Sequence, residues 1–354
     1  MALRRADLPE AIVSSLRRGA VIPAHPLALN AQRRFDRRRQ RALTRYYLDA
    51  GAGGLAVGVH TTQFKIREAG LLETVLASAM EDQQAWTQRA TVMIAGLCGG
   101  TAQALAEARL AVSLGYHAGL LSLGAMARAS EDEWIIHCQA VAEEIPLVGF
   151  YLQTAVGGPV LSSGFWRRFV QIPNVIAIKV APFNRYRTID VVRALVDARA
   201  EDRVFLYTGN DDHIVLDLAV PFAAMRDGAP VAVRFRGGLL GHWSVWTAGA
   251  VKLLGQVKEA VASGGTLSPE LLALDSRVTD CNAAFFDVAN DFRGCIAGCH
   301  EVLRRQGLLD GIWCLDPDEC LGPGQREEID RVCARHRDLA DDAFVGKNLD
   351  RWLS

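Results

Sequence analysis

Val175-Ile176-Ala177-Ile178-Lys179-Val180-Ala181 is a run of β-branched and small apolar residues broken by a single lysine, and it lies between two helical patterns at 165–170 and 188–198. A short apolar run of that composition between helices reads as a strand of a parallel sheet covered on both faces. The unit recurs along the chain. Strands are expected at 20–24, 54–59, 92–97, 118–123, 147–153, 175–180, 204–208 and 231–235. Helices are expected at 37–50, 71–89, 102–114, 131–144, 165–170, 188–198, 211–225 and 245–261. Eight βα units in succession predict an α/β fold of the closed (β/α)₈ TIM barrel type rather than an open doubly wound sheet. No glycine-rich dinucleotide fingerprint follows the first strand, which removes the main support for a Rossmann fold.

After Ser263-Gly264-Gly265 the pattern turns helix-only, at 269–291, 295–306 and 325–336. The expected organisation is a catalytic barrel over 1–265 followed by a helical region over 266–354 packed against it. The chain of 354 residues is half hydrophobic with a formal net charge of −1. That balance offers no footprint for nucleic acid or an anionic membrane, and no apolar run reaches the ~20 residues that span a bilayer. Eight cysteines without paired spacing and a start lacking a signal-peptide core predict free thiols and a cytoplasmic location. Cys295 and Cys299 stand four apart on a helical pattern, with no second ligand pair, so no metal site is expected there.

Lys179 admits two readings. An ammonium at a strand end reaches water past the sheet, or burial strips its proton and leaves an amine that attacks carbonyls to form Schiff bases. Barrel geometry gives the lysine an inward direction toward the end where sites form, since side chains alternate inward and outward and active sites form at the C-terminal strand ends. On its strand, Val175, Ala177, Lys179 and Ala181 share one face, and the alanines leave room for the lysine stem. On the preceding strand the inward face is expected to carry Leu147, Gly149, Tyr151 and Gln153. Tyr151 is then either a proton shuttle beside Lys179 or a barrel-filling aromatic with a satisfied hydroxyl. Thr61 and Thr62 end the second strand with hydroxyls that suit a carboxylate, although plain β-propensity also explains them. Arg234 and Arg236, at the expected end of the eighth strand, are candidates for a distal carboxylate or for a barrel salt bridge.

Lys179 in Ile-Ala-Ile-Lys, Tyr151 in Gly-Phe-Tyr, Thr61-Thr62 after Val-Gly-Val, and Gly209-Asn210-Asp211-Asp212 after the seventh strand together resemble the dihydrodipicolinate synthase and N-acetylneuraminate lyase family. The resemblance implies imine formation between Lys179 and pyruvate or another 2-oxo acid, with no cofactor beyond that covalent adduct. It implies Tyr151 as the proton-transfer group, Thr62 in the relay, and Thr61, Thr62, Gln153, Gly209 and Asn210 as substrate contacts. A homo-oligomer, dimer or tetramer, is implied as well. The chain departs from the pattern in three places. The family's Tyr-Asn-x-Pro with a following arginine is Tyr151-Leu152-Gln153-Thr154 here, with Val156 at the arginine's place. Its Gly-Thr-Thr-Gly-Glu is His60-Thr61-Thr62-Gln63-Phe64, and its Pro-Tyr-Tyr segment is replaced by Ser122-Leu123-Gly124-Ala125-Met126. A divergent lyase or synthase is therefore expected, not a true dihydrodipicolinate synthase. The alternatives are a catalytically silent member binding a small acid as sensor or scaffold, and a metal-dependent barrel hydrolase or class II aldolase. The last is disfavoured because no His or carboxylate pairs recur at strand ends.

Overall fold

The computed structural model describes residues 2–264 and 266–354. Its strands are β1 (Val21–Pro23), β2 (Gly54–Val57), β3 (Val92–Leu97), β4 (Ala118–Leu121), β5 (Leu147–Leu152), β6 (Val175–Ala181), β7 (Phe205–Thr208), β8 (Phe222–Arg226), β9 (Ala229–Val233) and β10 (Phe235–Leu240). Eight of these form one parallel sheet in the order β1-β10-β7-β6-β5-β4-β3-β2. A parallel bridge between Ala24 and Ala56 brings the two ends together. The result is the (β/α)₈ barrel with a C-terminal helical extension. The boundary expected at Gly265 lies outside the described residues.

Two apolar shells sit on either side of the sheet. The inner one contains Ala24, Ala56, Ile94, Leu120, Val148, Phe150, Ala177, Ala181 and Tyr207, and the outer one holds the residues facing the helices, among them Leu147, Tyr151, Ile178 and Val180. The first helix, Glu10–Arg18, adds Ile12 and Leu16 to the inner shell and so closes the N-terminal mouth. Tyr207 reaches down to it, donating its hydroxyl to the Leu16 carbonyl at 2.9 Å.

Two expectations are corrected. The eighth barrel strand is not 231–235 but Phe235–Leu240, which pairs with β7 and β1. Residues 222–233 instead form an antiparallel hairpin, β8 with β9, outside the barrel. Its turn, Asp227-Gly228, has positive φ at both positions (53° and 80°), the conformation that favours Asp-Gly in tight hairpins. The helix expected over 211–225 accordingly shrinks to Ile214–Ala219. The second correction concerns the direction in which β5 faces. Val148 and Phe150 point inward and Tyr151 outward, one residue out of phase with the expectation. A strand buried on both faces carries no polar alternation to set its phase.

The C-terminal helices, Pro269–Phe285, Cys295–Arg305, Gln325–Arg335 and Asp342–Leu353, pack on the barrel. The first stops short of 291 because Asp287 turns to the left-handed region (φ 56°). The last is anchored by Trp352, whose Nε1–H donates to Asp49 at 2.6 Å. Tyr46 donates its hydroxyl to Asp341 nearby, at 2.7 Å. No helix among the described residues is long and apolar enough to cross a membrane.

His25, His242 and His300 are buried, and burial pushes all three imidazoles down to about 4 from the ordinary 6.5. Each is therefore neutral in the folded protein and takes up a proton on unfolding below pH 6.5. Stability is full above 6.5 and is lost as pH falls toward 4, by up to roughly 3 kcal/mol per imidazole. The urea midpoint should fall when pH is lowered from 7.5 to 5, and an unchanged midpoint would contradict buried neutral imidazoles.

Candidate active site

Lys179 stands in the inner layer of the barrel, in register with Phe150 on β5 and Tyr207 on β7. Its stem passes directly over Gly209. A Cβ at that position would lie 2.7 Å from Lys179 Cε, so only glycine admits the lysine in this orientation. The residue is 7% exposed, and among the described residues its Nζ makes no hydrogen bond or ion pair. Its contact is with the Phe150 ring, whose centroid is 4.5 Å away. Burial lowers the lysine's pKa below its ordinary value, an effect partly offset by the charge of Asp211.

The amine opens into a cavity of about 50 Å³ at the C-terminal end of the strands. Thr61, Gln153 and Gly209 line it, and the Thr61 side chain has no hydrogen-bond partner among the described residues. Thr62 is locked elsewhere. Its hydroxyl donates to the His25 carbonyl at 2.6 Å and accepts the Gly58 N–H at 2.9 Å, so it clamps the loop after β2 and lies outside the cavity wall. Asn210 is also structural. Its Oδ1 accepts the Phe183 N–H, and its Nδ2 donates to Thr188 and to buried Asp217, which is itself paired with Arg185.

Three expected site residues lie away from Lys179. Tyr151 faces the helices, donates its hydroxyl to the Leu161 carbonyl at 3.0 Å and packs against Trp166 at 5.4 Å between ring centroids. Arg234 and Arg236 flank Phe235 at the beginning of β10 and not at its end, which puts them at the opposite mouth of the barrel. Arg234 is spent on the Ala219 carbonyl at 2.9 Å, and Arg236 is exposed. Both placements follow from the corrections above, the phase of β5 and the shift of the eighth strand.

Further wall residues are named in the sequence but are not among the expected substrate contacts, His60 being expected only as a stand-in for the missing proton relay. Asp211 is buried two residues past Gly209, and its Oδ1 accepts the His242 N–H at 3.0 Å. Burial raises its carboxyl above the ordinary range, against the opposing pull of Lys179. His60 is pushed down to about 4 by burial and by Lys179. Cys295 and Cys299 come from the helical extension, and burial raises both thiols, Cys299 to about 12. All eight cysteines are unpaired. Among the described residues no three His, Cys, Asp or Glu side chains group to hold a metal ion. The signal for Asp211 was in plain sight, an acid immediately after a barrel strand, where such sites form.

A profile of the Dihydrodipicolinate synthetase family matches residues 18–223. No curated protein matches the chain. The fold is shared with dihydrodipicolinate synthase from Oceanobacillus iheyensis, at 15% identity and TM-score 0.73 over 92% of this chain and 99% of that one. It is shared with N-acetylneuraminate lyase from Fusobacterium nucleatum, at 14% identity and TM-score 0.71 over 92% and 100%. A third similar structure is a chloride-inhibited dihydrodipicolinate synthase from Acinetobacter baumannii complexed with pyruvate, at 16% identity and TM-score 0.69 over 89% and 98%.

The electrostatics of the cavity are open to direct measurement. After reductive ¹³C-methylation, the Lys179 dimethylamine should titrate below the ordinary lysine value of 10.5. In Asp211→Asn it should titrate lower still, because the charge opposing its desolvation is gone. A Lys179 resonance at the ordinary lysine value would show the amine to be solvated.

Proposed function

Because the chain belongs to the Dihydrodipicolinate synthetase family, we propose that it is a Schiff-base-forming lyase or synthase in which Lys179 captures pyruvate or another 2-oxo acid as an imine. The observation that carries this reading is the condition of the amine: buried, without hydrogen bond or ion pair among the described residues, and open only to a cavity at the C-terminal end of the barrel strands. In its neutral form Nζ attacks the keto carbon, water leaves, and the protonated imine draws electrons from the adjacent carbon. That electron sink serves carbon–carbon bond making or breaking, or loss of water from a sugar-acid derivative, without a metal. The Thr61 hydroxyl and the Gln153 amide are the groups on hand for the 2-oxo acid's carboxylate.

The second substrate should be of a different kind from the acidic aldehyde of the synthase. Among the described residues no arginine lines the cavity, and apart from His60, Asp211 and the two thiols its remaining wall is apolar, with Leu152, Val156, Phe183 and Phe286. Such a wall favours an uncharged acceptor with apolar substituents, since an unpaired carboxylate there would lose its hydration without compensation. The reading extends to assembly as a homo-oligomer, dimer or tetramer, and, given eight free thiols, to a cytoplasmic setting. Phe150, which presents no acid or base to the lysine, favours a second reading, a silent member that forms the imine without turnover.

Incubation with pyruvate and borohydride, followed by intact mass and peptide mapping, tests the imine. A reduced adduct on Lys179, absent in Lys179→Ala, is expected. An adduct on another lysine, or none across a panel of 2-oxo acids, would sink the assignment. With pyruvate as donor, uncharged aromatic or aliphatic aldehydes should be accepted at least tenfold better, by kcat/KM, than aldehydes carrying a carboxylate. The reverse order would remove the apolar wall as the determinant of choice, and adduct formation without turnover of any aldehyde would favour the silent member.

A further inference from the structure

Imine chemistry needs a group that moves protons on the adduct, and the register of the barrel withholds phenols from that task. Phe150 pairs with Lys179 on one side. Tyr207 pairs on the other, but its hydroxyl is committed to the Leu16 carbonyl at the far mouth. Tyr151 is turned to the helices and bonded to Leu161. The titratable groups that share the cavity with Lys179 are His60, Asp211, Cys295 and Cys299, and Asp211 is the one carboxylate among the lining residues.

Geometry and protonation separate these four. The two thiols are held protonated by burial, and a His60 pushed down to about 4 is a weak base. Asp211 is fixed at the wall by the His242 N–H, and no other residue among the described ones donates to its carboxylate. Gly209, over which the lysine stem lies, is two residues before it. Asp211 and Lys179 approach closely enough to oppose each other's desolvation, yet form no ion pair within 4.0 Å. The carboxyl is raised toward the range in which an acid–base group works near neutral pH, with Asp212 adding to the effect.

We propose that Asp211 is the proton-transfer residue of the lysine-bound intermediate, taking a proton from C3 of the imine and returning it to the product. This rests on Lys179 being the imine-forming residue. In the first step the C3–H bond breaks and its electron pair forms the C2=C3 double bond. The C2=N pair returns to Nζ, and the proton moves to the Asp211 carboxylate. In the second step C3 attacks an aldehyde carbon, the carbonyl pair moves to oxygen, and that oxygen takes the proton from Asp211. The carboxylate is regenerated and the imine is again protonated. Cleavage runs the same steps backward.

Exchange of the pyruvate methyl protons in D₂O, followed by NMR, isolates the first step, and borohydride trapping isolates imine formation. Asp211→Asn keeps an acceptor for the His242 N–H and should still be trapped on Lys179, while exchange falls by ~10²- to 10⁴-fold, the usual cost of a lost acid–base group. Asp211→Glu should recover part of the exchange. Trapping with undiminished exchange in Asp211→Asn overturns the proposal and leaves the imine standing, as does native protein that is trapped without exchanging. Exchange lost in His60→Gln but kept in Asp211→Asn transfers the role to His60. Native protein that is never trapped overturns the imine reading, and this proposal with it.

Discussion

Removing one amine from water is the constraint around which the barrel mouth is arranged. An ammonium buried without a partner costs several kcal/mol, and the cheaper outcome is a lowered pKa. Everything around Lys179 bears on that balance. Gly209 lets the stem lie against the backbone of the next strand end, Ala181 keeps the neighbouring inner position small, and Phe150 gives the amine an aromatic face instead of a hydrogen bond. Asp211 stands close enough to moderate the desolvation without forming the ion pair that would hold the ammonium charged.

The cavity is also where the barrel and the helical extension meet. Lys179, Phe150 and Asp211 come from strands and strand ends, whereas Phe286, Cys295 and Cys299 come from the C-terminal helices and the turn between them. The extension is held on the barrel by polar bonds at its far end, through Trp352 to Asp49 and Tyr46 to Asp341. At the site itself it is held by packing of His242 and Trp246 against Phe285. Helices that look like an appendage in the chain therefore supply one wall of the cavity at Lys179. At the opposite mouth, the first helix supplies the floor.

Much of this is legible in the chain of residues alone. Alternating apolar runs and helical patterns announce eight βα units because each βα unit is local, and its signal survives without knowledge of its neighbours. Lys179 is legible because a charge within an apolar strand is conspicuous whatever surrounds it. Tyr151 is misread because the phase of β5 depends on its partners. Both of its faces are apolar, and one residue of slip turns every side chain over. Arg234 and Arg236 are misread because the β8–β9 hairpin displaces the eighth strand by several residues, and a strand end becomes a strand beginning. The Asp227-Gly228 turn is the local clue to that hairpin. Thr62 and Asn210 fall at the right loops, but their hydrogen bonds to His25, Phe183 and Asp217 commit them to holding those loops.

The sequence by itself determined the barrel, seven of its eight strands and the lysine that points into it, since periodicity, punctuation and a charge out of place are properties of short stretches. Only the tertiary structure decided the lysine's company. Which face of β5 looks inward, which helix closes the wall and which carboxylate stands nearby are set by register and packing between segments far apart in the chain. For that reason Phe150 and Asp211 surround Lys179 where Tyr151 was expected.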